Sequence, residues 1–146
     1  MKSITFITIV SFLLHIVWEN LQAPLFAGYV SFGQHFWFCL YGTAGDVVIA
    51  LVVFLLIALL KGDMDWIRSI TARDLLALAI IGFFIAVWIE HRALLFSTWN
   101  YAAAMPIIPY LKVGLTPVLQ MVILLPLSFL ITDRLLKKNR VMRDRE

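Results

Sequence analysis

Cysteine is nearly absent: Cys39 stands alone among 146 residues, which excludes an intrachain disulfide and a thiolate metal cluster. Charge is scarce as well. Asp, Glu, Lys and Arg make up 14% of the chain, where a soluble domain carries about a quarter. There is no phosphate-cradling glycine loop, no nucleotide fingerprint and no nucleophilic Ser or Cys motif. The formal charge of +3 comes from basic residues at the ends of hydrophobic segments. Topology accounts for them there, and nucleic acid is not an expected partner.

What is present is hydrocarbon. Hydrophobic residues are 62% of the chain and mean hydropathy is +0.93, values that predict an integral membrane protein. Four apolar runs cover about 4–25, 36–60, 75–95 and 113–131, each long enough to cross a hydrocarbon core of about 30 Å at 1.5 Å per residue. The expected fold is all-α, a four-transmembrane-helix bundle forming one membrane domain over 1–146, with a basic tail at 132–146. Lys2 and Ala27-Gly28 flank the first run as in a signal peptide. Its length exceeds the usual apolar region of about 7–15 residues, and its second half is polar, so a retained helix is expected. Pro24 should end or kink it.

The connection at 26–35 carries no Lys, Arg, Asp or Glu and suits an interface. The stretch 61–74, with Lys61, Asp63, Asp65, Arg68, Arg73 and Asp74, reads as fully aqueous; Thr71 is placed to cap the third helix, with Asp74 in its first turn. Met105-Pro106 and Pro109-Tyr110 argue against a helix between the third and fourth spans, so that segment should be non-helical or re-entrant. Gly114, Pro117 and Pro126 should interrupt the fourth. All of the 12 Lys and Arg except Arg92 and Lys112 fall at Lys2, in 61–74 or in the tail. The positive-inside rule then puts both termini in the cytoplasm, with a bacterial or archaeal plasma membrane as the expected setting.

The chemistry concentrates in His15-Ile16-Val17-Trp18-Glu19-Asn20-Leu21-Gln22. At about 100° per residue, His15, Glu19 and Gln22 share one stripe of the first helix. A bare carboxylate at membrane depth costs at least about 2.5–3.5 kcal/mol, so Glu19 needs partners or a proton. Counting rises from the span ends puts Glu19 and Glu90 about 8 Å, and His15, Asp46 and Gln120 about 12–14 Å, below the outer boundary. All four helices thus bring a polar group to one layer, whereas the cytoplasmic halves read as aliphatic. Gly42 shares a face with Asp46, allowing a neighbouring helix to come close.

Three carboxylates in one layer cannot all be ionised, so at least one should hold a proton. The predicted catalytic set is therefore Glu19, Asp46 and Glu90, with His15 and His91 as hydrogen-bonding partners or proton shuttles and Arg92 as a candidate counter-charge to Glu90. Trp18, Gln22, Trp99, Asn100, Tyr101 and Gln120 are the candidate substrate-binding residues, with the aromatics offering π-faces to a developing cation. No metal and no other cofactor is expected: the Glu-x-x-His pairs of bundle di-metal sites are absent, adjacent Glu90 and His91 diverge by about 100°, and no motif supports a haem between His15 and His91.

The function these features predict is a small membrane-embedded enzyme. It would isomerise, cyclise or hydrate a lipophilic substrate of isoprenoid, carotenoid or sterol type in an outer-leaflet cavity. One of Glu19 and Asp46 would serve as acid and Glu90 as base. The alternatives are a proton-coupled or small-solute transporter completed by homo-oligomerisation, or an assembly partner of another membrane protein contacted through Gly42, Gly45 and Asp46.

Overall fold

A computed structural model describes residues 2–143 as four long helices joined by connections that carry 3-10 turns and a short β-pairing. Helix α1 spans Lys2–Gln22, α2 Phe32–Lys61, α3 Ala72–Leu95 and α4 Leu115–Arg143. Each holds a stretch long and apolar enough to cross a membrane. Leu13, Val17, Leu56, Phe84 and Trp88 are all more than half exposed on the outer faces. Water would not favour so much uncovered hydrocarbon; lipid would.

Local chemistry sets the helix ends. The backbone passes from α1 into a 3-10 turn, Ala23–Leu25, at Pro24, the break expected there. Helix α2 begins at Phe32, one turn earlier than the hydrophobic run suggests, and closes on Gly62 at φ +63, the left-handed conformation in which glycine carries no penalty. Thr71 and Asp74 form the expected cap of α3: Thr71 Oγ1 accepts from the Asp74 backbone N–H, and the Asp74 carboxylate accepts from the Thr71 N–H.

Three expectations need correction. The fourth helix does not stop near Ile131. It continues to Arg143, since Thr132 to Arg143 contains charge but no helix breaker, and Lys137 pairs with Asp133 one turn back at 2.7 Å. Arg145 of the expected tail lies outside the described residues. Neither Pro117 nor Pro126 interrupts this helix: Pro117 falls in the first turn, where a missing N–H costs nothing, and Pro126 sits inside α4 without ending it. Finally, the segment 61–74 is not fully aqueous. Trp66 and Ile67 are buried, with Trp66 held between Phe54 and Phe129 at centroid distances of 6.0 and 5.6 Å and donating to the Phe54 carbonyl.

The residues between α3 and α4 are non-helical, as expected, but ordered. Ile107–Ile108 (β1) pairs antiparallel with Val113–Gly114 (β2), and Phe26 bridges to Tyr101 through Ala27 N–H to Asn100 O and Ala102 N–H to Leu25 O, each at 2.9 Å. The two connections at this end therefore tie together.

Helix α1 lies against α2 and α4, and α4 against α3, while α2 and α3 do not approach one another comparably. At the α3–α4 contact a Cβ on Gly82 would come within 2.6 Å of the Met121 carbonyl oxygen. Gly82→Ala should therefore push the two helices apart, at a cost of about 1–3 kcal/mol. Reversible unfolding in mixed micelles measures it; a variant as stable as the parent would show that the approach is not needed.

Candidate functional site

Three helices deliver side chains to one buried network. His15, Glu19 and Gln22 come from a single stripe of α1, Asp46 from α2 and Gln120 from α4. His15 and Gln120 are buried, and the Asp46 side chain is 15% exposed. The Gln120 Nε2 group stands 2.9 Å from Glu19 Oε1, 2.8 Å from Asp46 Oδ2 and 3.1 Å from His15 Nδ1. An amide nitrogen has two hydrogens. Directed to the two carboxylates, they leave His15 Nδ1 as the donor across its 2.9 Å contact with Asp46 Oδ2.

Gln22 completes the arrangement. Its Nε2 donates to Gln120 Oε1 at 2.6 Å and approaches Glu19 Oε1 at 3.3 Å, while its own Oε1 accepts from Trp18 Nε1 at 3.2 Å. Gly42 makes the close packing possible, since a Cβ there would lie 3.3 Å from the Glu19 carboxyl carbon. The glycine face expected beside Asp46 thus receives Glu19. Gly45 is exposed, with open space where a Cβ would stand.

Among the described residues His15 Nε2 is buried with no hydrogen-bond partner, and so are Ser11 Oγ and Thr43 Oγ1. Ser11 lies four residues before His15 and Thr43 three before Asp46, so each shares a helix face with a member of the network. Reading the composition for acids passes over both hydroxyls; the helical period of the acids' own neighbours would have found them. The chemical consequence lies at His15. A ring whose Nδ1–H is anchored by a carboxylate leaves its Nε2 lone pair to face the interior as a potential acceptor.

Glu90 of α3 belongs to a second centre. Its Oε2 accepts a short hydrogen bond from the Tyr101 hydroxyl and another from Trp99 Nε1 at 3.3 Å, and Tyr101 Oη in turn accepts the Gly114 N–H at 2.8 Å. The ring of Phe26 packs against Trp99 and Tyr101. Trp99 and Tyr101 therefore hold Glu90 by hydrogen bonds, beyond any part as a pocket wall.

Other expected members lie apart from both centres. His91 is exposed while Glu90 is buried, because adjacent residues on a helix point about 100° apart. Arg92 does not neutralise Glu90; its guanidinium lies over Trp88 and Phe96, 5.2 Å from each ring. Asn100 is exposed and contributes only its backbone carbonyl to the bridge with Ala27.

The remoter half of the bundle is more polar than its sequence suggests. Helices α1 and α4 run antiparallel, with Gln22 meeting Gln120 at one end and Lys2 beside Asn139 and Arg140 at the other. Between these ends Ser3 and Ser11 of α1 and Ser128, Thr132 and Asp133 of α4 are all buried. Thr132 Oγ1 and Asp133 Oδ1 have no hydrogen-bond partner among the described residues. Buried groups of this kind commonly bind ordered water.

Two expectations follow. Gln120→Leu removes the only donor shared by Glu19 and Asp46 among the described residues, and should destabilise the bundle by about 3–5 kcal/mol. Asp46→Asn in that background should recover part of the loss, since one buried charge is gone; additive effects in unfolding titrations would show that the two residues do not interact. At the second centre, burial and then the Glu90 hydrogen bond hold the Tyr101 phenol above its ordinary range. The folded state therefore keeps a proton that the unfolded chain releases near pH 10, and stability should decline as pH rises beyond that point. Tyr101→Phe should lose this slope while retaining any from other groups. A scan against protein-family models and searches of curated proteins and solved structures returned no match.

Proposed function

We propose that the chain is a membrane-embedded acid–base catalyst acting on a lipophilic substrate of isoprenoid, carotenoid or sterol type, with both termini on the cytoplasmic side. The observation that carries this reading is the His15–Asp46 pair, 2.9 Å apart, with the buried His15 Nε2 unengaged and Gln120 linking the pair to Glu19. Structural polar contacts between membrane helices are made by amides, hydroxyls and imidazoles and need no acids. A site that concentrates acids beside an imidazole is suited to moving protons.

In this reading Glu19 delivers a proton to a carbon–carbon double bond. The electron pair of that bond forms the new C–H bond, leaving a cation on the neighbouring carbon, and Trp18 is placed beside Glu19 to offer its π-face. His15 Nε2 then removes a proton from an adjacent carbon, whose C–H electrons form the shifted double bond. Asp46 stabilises the resulting imidazolium. Proton return through the Gln120-linked network resets the site. The loose approach of α2 to α3 leaves the side between these helices as the route from lipid. The turn-rich segment 96–114 then lies at the outer face as an interfacial or shallow re-entrant loop.

A second reading, proton-coupled transport, is favoured by the buried Ser3, Ser11, Ser128, Thr132 and Asp133 along α1 and α4, which offer a polar continuation through the far half. The two readings separate in one set of variants. Glu19→Gln, Asp46→Asn, Glu90→Gln and His15→Phe should each lower the conversion of a neutral lipid, seen in extracts of expressing cells, by about 10²-fold or more. Thr132→Val should leave that conversion nearly intact. Unchanged neutral lipids with all four variants, in cells where each accumulates normally, would sink the enzymatic reading. Proton flux into proteoliposomes abolished by Thr132→Val would establish transport in its place.

A further inference from the structure

At the end of the bundle remote from the carboxylates, a cleft of about 360 Å³ opens between the start of α1, the 3-10 turn Trp66–Ser69 and the last turns of α4. Its lining residues are Lys2, Asp65, Arg68, Leu136, Asn139 and Arg140. Three cations thus face one acid. That acid is already engaged: Asp65 Oδ1 accepts from Arg68 Nε at 2.9 Å, which leaves the remaining N–H groups of the guanidinium free of it. Lys2 and Arg140 form no ion pair among the described residues.

Cations at a membrane boundary ordinarily spread into water. Here three elements far apart in sequence bring theirs to one concavity, with an amide donor, Asn139, beside them. We infer that this cleft binds a phosphate oxyanion, carried either by the headgroup of an anionic phospholipid or by a soluble phosphate compound. Planar guanidinium groups match phosphate oxygens in pairs, and a basic recess at a bundle's cytoplasmic end is suited to lipid headgroups. Bound there, the anion would clamp the extension of α4 beyond the apolar span onto the α2–α3 connection. The inference is independent of the acid–base chemistry proposed for the other end.

The test uses the full chain purified in neutral detergent, with native mass spectrometry of short-chain phosphatidylglycerol and phosphatidylcholine, and calorimetric titration of inorganic phosphate. One phosphatidylglycerol should be retained with at least tenfold preference over the zwitterionic lipid. Lys2→Gln combined with Arg140→Gln should reduce that retention at least tenfold, Arg140→Lys should reduce it by less, and Lys138→Gln, which removes one positive charge outside the cleft, should change it less than twofold. Phosphate that binds and displaces the lipid would identify the soluble source; lipid retained against phosphate would identify the headgroup. Absence of both lipid preference and phosphate binding would overturn the inference, as would a Lys138→Gln loss equal to that of the cleft variants.

Discussion

The structure turns on one hydrogen-bond donor, the side-chain amide of Gln120, placed between two carboxylates that hydrocarbon would otherwise not tolerate. Glu19 and Asp46 come from different helices, and mutual repulsion in a medium of low dielectric would drive those helices apart. Gln120 holds both at hydrogen-bond distance, and Gln22 fixes Gln120 by engaging its carbonyl. Because these four residues lie on three helices, the network is also the register of α1 against α2 and α4. Sliding any helix by one turn, about 5.4 Å, would leave the acids without their donor.

The packing around the network follows from the same need. Gly42 lets the α2 backbone come up to the Glu19 carboxyl group, and Gly82 lets α3 come up to the α4 backbone. Trp66, inserted between Phe54 and Phe129, fastens the opposite end. The two β-paired connections close the end nearer the site and give Glu90 its own donors, Trp99 and Tyr101. Two acid centres thus arise with different support. One is a shared amide–imidazole network, and the other a carboxylate held by aromatic donors from a loop.

The four helices were legible in the sequence because hydrocarbon length is a one-dimensional property. Spacing alone placed His15, Glu19 and Gln22 on one face, and depth counting brought Asp46 and Gln120 to the same level. Hydropathy read the ends of elements less well. Charge in 132–143 marks where an apolar span ends, not where a helix does, and a Trp in an otherwise polar connection can still enter the core. The pairing of Glu90 with Tyr101 depends on the fold of the intervening loop, which periodicity does not encode. Nor could spacing reveal that Arg92 turns to Trp88 and Phe96, since an arginine at a helix end reaches an acid or an aromatic ring with equal ease. Neither Ser11 nor Thr43 could be assigned to the site from hydropathy, since hydroxyls in an apolar run raise no such signal.

The chemistry of the site depends on His15 donating through Nδ1 to Asp46 while its Nε2 lone pair stays unengaged. With only 3 histidines in the chain, 15N NMR of histidine-labelled protein in lipid bilayers addresses this directly, the His15 signals being assigned by their loss in His15→Phe. The expected signature is a ring protonated at Nδ1 and bare at Nε2, with its Nδ1 resonance displaced by Asp46→Asn. A ring protonated at Nε2 alone, or one indifferent to Asp46→Asn, would contradict it.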